Sequence, residues 1–324
     1  MYYIEKYQNS FNDYVETLTT PDQPEGLYNP IMYMLGLGGK RLRPVLTLMV
    51  TDMYSGNYER ALDAAMAVEV FHNFSLIHDD IMDDAPLRRG KQTVHEKWNL
   101  NTGILSGDAM LILAYKFFEN YQGVMFKSLI SLFSKTAIEV CEGQQHDIDF
   151  ETRDDVSLQE YLTMITQKTA VLLGCALQMG AIVAKASESD SRALYQFGVQ
   201  LGIAFQLQDD YLDTFGDPAV FGKQVGGDII SNKKTYLYLT ALSNCNEKDK
   251  KRLVKLFSES PKDSSQKIIE VKKLYLESGA AKQSLEEIAN FTKKANTIIE
   301  KLNINKSNKN LLRSFSDQLM NRKV

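Results

Sequence analysis

Six aspartates in two short runs are the residues best placed to do chemistry: Asp79-Asp80-Ile81-Met82-Asp83 and Asp209-Asp210-Tyr211-Leu212-Asp213. Each run reads Asp-Asp-x-x-Asp inside an otherwise apolar stretch. On a helix Asp79 and Asp83 are four residues apart and share a face, as do Asp209 and Asp213. Like charges at that spacing destabilise a helix. Carboxylates inside an apolar pattern are costly unless they are paired or bind metal. A lone motif of this kind reads more readily as a solvated acidic helix end. Two copies, both embedded in aromatic and aliphatic residues, point to a shared multivalent cation. Hard oxygen donors without clustered Cys or His favour Mg²⁺ or Mn²⁺ over Zn²⁺. Mg²⁺ completes its octahedron with water and substrate phosphates. The pattern therefore predicts two facing acidic stripes that hold a diphosphate through metal.

Basic residues accompany both runs. Gly38-Gly39-Lys40-Arg41-Leu42-Arg43-Pro44 sets three cations beside two glycines. Glycine lets backbone approach an anion, and the arginine fork matches phosphate oxygens. Arg88-Arg89-Gly90-Lys91 repeats this chemistry just after the first acidic run. Lys168 and Thr169 lie in an apolar stretch, as does Gln206, three residues before Asp209. Taken singly, the lysine would snorkel to water and the amide would be a satisfied core group. Lys223 and Lys233 flank a Gly-rich segment and could close over phosphates; alone, each is an ordinary surface lysine. His72 and His78, six residues apart, do not have zinc-ligand spacing. His95 and His146 carry no signal. There is no nucleophile–base triad signature, no phosphate-loop motif and no convincing dinucleotide fingerprint.

The elements that must position these groups are helical. None of the seven prolines falls between Leu87 and Asp217, and apolar residues there recur at three- and four-residue spacing. The expectation is an all-α chain with a first helix over residues 1–20. A short helix opened by Pro30 and helices over 42–54 and 59–84 follow. A basic loop spans 86–93, with further helices over 100–150, 157–185 and 189–215 and a long loop at 216–232. The last ~90 residues read as Lys/Glu-rich amphipathic helices. No hairpin signal is present. With no linker visible, residues 1–324 read as one domain.

The chain is 44% hydrophobic and 24% charged, with a formal net charge of -4. That balance argues against nucleic acid as partner. Cys141, Cys175 and Cys245 are too few and too scattered for a disulfide framework and read as buried small apolar residues. A cytoplasmic location is expected: the N-terminus lacks a signal-peptide layout. The longest apolar run, Ala170 to Ala184, is interrupted by Gln178 and is short for a membrane span.

Taken in order, GGKRLRP at 38–44, LIHDDIMDDAPLRRGKQT at 76–93, KT at 168–169, FQLQDDYLDTFGD at 205–217 and GKQVGGDIISNKK at 222–234 resemble the trans-prenyltransferases, the isoprenyl diphosphate synthase family. The resemblance spans most of the chain. It implies an all-α homodimeric bundle of long helices around a deep central cavity. The implied reaction is head-to-tail condensation of isopentenyl diphosphate with an allylic diphosphate. By the same resemblance Asp79, Asp83 and Asp209 would ligate three Mg²⁺ ions, with Asp80, Asp210 and Asp213 acting through water or in support. Arg88, Lys168 and Lys233 would hold the allylic diphosphate, with Lys223 closing over it. Lys40, Arg43, His72 and Arg89 would hold isopentenyl diphosphate; other members have Gln where this chain has His72. Thr169 and Gln206 would face the developing allylic cation, on a wall supported by Gln144 and Asp147.

Product length would be set sterically. Phe74 and Ser75, five and four residues before Asp79, lie about 6–7.5 Å along a helix from it. In the family an aromatic at the fifth position limits the tail pocket and a small residue at the fourth leaves some room. The expected product has fifteen or twenty carbons, with twenty favoured; Phe117 and Phe118 are further candidates for shaping the pocket. Two rivals are a terpene cyclase on the same fold, and a non-catalytic subunit of a heteromeric synthase. The second acidic motif with GGKRLRP argues against the first, and the completeness of both motifs against the second.

Overall fold

A computed structural model describes residues 2–217, 225–261 and 263–320. The chain is all-α. In order the helices are α1 (Tyr2–Glu16), α2 (Glu25–Gly36), α3 (Leu42–Ser55), α4 (Leu62–Met82), α5 (Val94–Lys97), α6 (Leu100–Lys116), α7 (Gly123–Thr152), α8 (Leu158–Ile165), α9 (Val171–Val183) and α10 (Glu188–Phe215). After these come α11 (Gly227–Ile230), α12 (Tyr236–Asn244), α13 (Glu247–Phe257), α14 (Ser265–Glu277), α15 (Ala280–Lys301) and α16 (Lys306–Met320). Two two-residue strands, β1 (Leu87–Arg88) and β2 (Lys91–Gln92), pair antiparallel between α4 and α5. Among the described residues no helix is long and apolar enough to cross a membrane.

Contacts divide the chain into two compact units, Met1–Ser134 with Cys175–Arg192, and Lys135–Gly174 with Ala193–Val324. In the first unit α4 is buried along most of its length, from Ala64 to Phe71 and again at Phe74 and Ile77. It packs on α3 and α6. Each fully buried Leu, Ile or Phe contributes about 1.5–3 kcal/mol. This burial keeps the acidic end of α4 in place despite its charge. In the second unit Tyr161, Leu207, Leu237, Tyr275, Ile288 and Phe291 share one core. Local signals start the helices: a Ser157–Glu160 capping box opens α8, and Asn246 caps α13 through the amides of Lys248 and Asp249.

Four features depart from the expectations. Pro30 lies inside α2, which begins one turn earlier at Glu25 after Pro24 in an extended conformation. A carboxylate in the first turn complements the helix dipole there, so the start does not need Pro30. Residues 86–93 form a hairpin, whose turn residues Arg89 and Gly90 have φ of 54° and 74°. Positive φ at both central positions is the type I′ geometry, which fits the twist of paired strands; the hairpin is too short to show alternation in sequence. The helix expected over 157–185 contains a π-helical turn at Thr166–Ala170. Finally, only Cys175 is buried; Cys141 is exposed and Cys245 half-buried.

Candidate active site

In the first unit the three aspartates at the end of α4 separate by orientation. Asp80 points inward, 2% exposed, and accepts both bonds of a fork from Arg88 Nε, at 2.7 and 2.8 Å. Arg88 Nη2 lies 2.6 Å from Asp80 Oδ1 and 3.7 Å from Asp79 Oδ2. Burial raises the Asp80 carboxyl above its ordinary pKa, against the opposing pull of Arg88. Asp79 and Asp83 occupy successive turns on another face, Asp83 at the helix C-cap with its amide on the Asp79 carbonyl at 2.9 Å.

The hairpin turn brings Arg89 onto the Gly38 carbonyl. It thereby ties the Arg88-Arg89 loop to the Gly38–Arg43 loop, 51 residues apart in sequence. Arg41 adopts a left-handed backbone, φ 48°, and its buried guanidinium meets buried Glu69 of α4 at 2.6 Å. Asn73 donates to the same Glu69 carboxylate at 3.2 Å. This buried pair fixes where the basic loop sits on α4. Arg43 Nη1 donates to His72 Nε2 at 3.2 Å. Desolvation, then the charges of Arg43, Arg89, Arg88 and Arg41, hold the imidazole well below its ordinary pKa. His72 is therefore a neutral acceptor for Arg43.

In the second unit the π-turn is the centre of the arrangement. It is gripped by two glycines. A Cβ on Gly143 of α7 would stand 2.2 Å from Lys168 N, and one on Gly202 of α10 would stand 2.6 Å from Ala170 Cα. Only glycine permits backbone this close. Four residues beyond each glycine, one helical turn on, sits the polar partner. Asp147 meets Lys168 Nζ at 2.6 Å, and Gln206 Oε1 accepts from Thr169 Oγ1 at 3.2 Å. Gln206 Nε2 then donates to Asp210 Oδ1 at 2.9 Å, and Tyr161 donates its hydroxyl to Asp210 Oδ2. Burial, followed by the charge of Asp228, pushes the Asp210 carboxyl well above its ordinary pKa.

Asp213 accepts from the Asp228 amide at 2.9 Å, capping the start of α11. Asp147, Tyr161, Lys168, Thr169, Gln206, Asp210, Asp228 and Lys233 line one cavity of about 110 Å³. A larger and more open groove of about 660 Å³ is lined by residues of α15 and α16. It carries neither acidic motif, so the smaller cavity is the chemically equipped one.

Within each unit the structure brings predicted residues together: Asp80 with Arg88, Arg43 with His72, and Lys168, Thr169, Gln206 and Asp210 around one turn. Lys233 lies at the same cavity as Lys168, and Lys40 directly precedes Arg41 in the loop that Glu69 holds. Lys223 lies outside the described residues. Several contributors carry no role in the sequence reading. Glu69 is a carboxylate inside an apolar run, the same signal that exposes the acidic motifs. Tyr161 and Lys234 gave no comparable signal. Lys234 donates to the carbonyls of Phe150, at 3.0 Å, and Arg153, which anchors the end of α7.

The family model for polyprenyl synthetase matches residues 24–275. A geranylgeranyl diphosphate synthase of Sulfolobus acidocaldarius is 40% identical over 257 residues, 78% of this chain and 78% of its own. A geranylgeranyl pyrophosphate synthase of Geoglobus acetivorans is 35% identical over 314 residues, 96% of this chain and 95% of its own. A solved structure described as geranylgeranyl pyrophosphate synthase superposes with a TM-score of 0.95 at 53% identity, covering 99% of each chain.

Proposed function

The chain belongs to the polyprenyl synthetase family and is a prenyltransferase; from that premise we propose that it joins isopentenyl diphosphate head-to-tail to an allylic diphosphate, with geranylgeranyl diphosphate as its main product. The observation that carries this reading is the convergence of Lys168, Thr169, Gln206 and Asp210 on one cavity around a π-turn. Such turns recur at functional sites because they aim side chains that a regular helix cannot.

The roles follow from the contacts. Lys168, braced by Asp147, presents a cation to the leaving diphosphate. Its attraction grows as the allylic C–O bond breaks, so it acts on the transition state. The Gln206 amide is fixed at its nitrogen by Asp210, which orients its carbonyl oxygen; with Thr169 that dipole faces the allylic cation. The double bond of isopentenyl diphosphate then forms the new C–C bond, and the proton it releases goes to the departed diphosphate. Arg43 and Arg89, with Lys40, hold isopentenyl diphosphate, and neutral His72 orients Arg43. The apolar residues around the acidic motifs keep out water that would quench the cation.

The donors fit a hard divalent metal. Both motifs offer hard carboxylate oxygens, Asp79 and Asp83 on successive turns at the end of α4, and Asp79, Asp83 and Asp209 would hold Mg²⁺ or Mn²⁺. When bound, the metal neutralises diphosphate charge and draws electrons from the breaking bond.

Phe74 sets the tail length. It is buried and meets Phe71 at a tilt and His78 edge-to-face, with ring centroids 5.4 and 4.8 Å apart. Phe71 in turn meets Phe133, which also meets Tyr115 and Phe118. This aromatic floor below Asp79 limits the chain to twenty carbons.

The enzyme acts as a homodimer. Leu100, Ile104, Leu105 and Ile112 of α6 are 40–61% exposed at spacings that form one stripe, the mark of an interaction face. The chain is a single domain: α7, α9 and α10 each run unbroken through the points where the contact units change.

The test is radiolabelled isopentenyl diphosphate with dimethylallyl, geranyl and farnesyl diphosphate in turn, product length being read by chromatography. Label incorporation ending at twenty carbons supports the proposal. A hydrocarbon formed from an allylic diphosphate alone, or no incorporation with any primer, overturns it.

A further inference from the structure

Among the described residues one group of His, Asp and Glu side chains brings three ligand atoms within 4.8 Å of one another: Asp84, His95 and Glu96. None belongs to the machinery described above. The His95 side chain is only 9% exposed, and neither of its ring nitrogens has a hydrogen-bond partner. An imidazole desolvated in this way normally finds a partner for at least one nitrogen. His95 Nε2 stands 3.9 Å from Glu96 Oε1, too far for a hydrogen bond. A cation at about 2.0–2.2 Å from each donor sets two ligand atoms roughly 3–4 Å apart.

One imidazole with two carboxylates suits zinc and its neighbours in the first transition row better than Mg²⁺. Asp84 and Glu96 are exposed, so water has access to complete the coordination.

The three residues bracket the hairpin. Asp84, φ 49°, directly follows the acidic end of α4, while His95 and Glu96 lie in α5 beyond β2. The base of the hairpin is already tied by Thr93, whose hydroxyl donates to the Ala85 carbonyl at 2.8 Å and whose amide donates to that of Pro86 at 3.2 Å. We propose that Asp84, His95 and Glu96 form a site for a zinc-class divalent cation that clamps the base of the β1–β2 hairpin and so fixes Arg88 and Arg89. The site stands on this geometry alone and holds whatever reaction the enzyme catalyses.

The experiment adds Zn²⁺ to the full-length protein in excess Mg²⁺ and follows histidine ring ¹⁵N resonances, bound zinc after dialysis, and amide exchange over residues 87–92. The wild type should show one histidine shifting with zinc, its resonance being the one missing from His95→Gln. The hairpin amides should become slower to exchange. Both His95→Gln and the exposed Glu96→Gln should retain one zinc fewer than wild type. Unshifted His95 resonances, or an unchanged zinc count in Glu96→Gln, would overturn the site. Zinc binding that leaves exchange over 87–92 unaltered would overturn the clamp.

Discussion

Asp79 and Asp80 are neighbours with opposite fates. Asp80 turns into the protein and is held by Arg88, while Asp79 stays on the face it shares with Asp83. Asp79→Asn removes charge without emptying space. It should lower kcat by about 10²–10³-fold, the scale of losing one preorganised electrostatic contact, with circular dichroism and melting temperature unchanged. Near-wild-type turnover would mean that Asp79 holds no metal. His72 gives a second test. Its imidazole sits below the ordinary value of 6.5 in the folded state, so around and below pH 6.5 the unfolded chain binds the extra proton. Stability on this account is whole above pH 6.5 and falls as pH drops toward the folded value. Urea midpoints between pH 7.5 and pH 5 should decline less in His72→Gln than in wild type; parallel curves would contradict a depressed histidine. The acidic motifs were legible in sequence because charge inside an apolar run has few explanations. Glu69 offered the same clue, but its partner Arg41 lies 28 residues away and depends on a left-handed backbone that no local pattern announces.

Among the elements, the π-turn and its two glycines do most to arrange the second unit. Gly143→Ala places a methyl group against Lys168 backbone and should destabilise the protein by about 1–3 kcal/mol, as overpacking does. Urea unfolding measures this, and a difference within about 0.5 kcal/mol would mean that the contact relaxes freely. The helix around the turn was readable from its apolar residues, but its extra residue was not, because Val171–Val183 is apolar nearly all round and a one-residue slip of phase leaves no mark in such a pattern. The hairpin escaped for a related reason: two residues per strand are too few to alternate. Phe74→Ala opens the aromatic floor between α4 and α7. Its products should extend beyond twenty carbons on chromatography; an unchanged length would assign the floor elsewhere.

For the whole molecule, the fold class was the most legible property, since breaker-free stretches and three-to-four spacing leave little alternative to helix. The exposed stripe on α6 was hidden, because a periodic apolar row reads the same whether it faces a core or another subunit. Leu105→Glu with Ile112→Glu should shift sedimentation from dimer to monomer while leaving helix content intact. A dimer that persists would place the interface on another face.

The π-turn also constrains the way this chain can change. A π-turn seats one residue more than an α-helical turn, so Thr166–Ala170 absorbs the roughly 100° by which an extra residue would otherwise turn the helix that follows. Deleting one of its residues would let the helix close up with α9 still seated, but would draw Lys168 and Thr169 away from Asp147 and Gln206. The extra residue therefore works as a spacer: its loss would spare the scaffold and silence the polar groups that the turn presents.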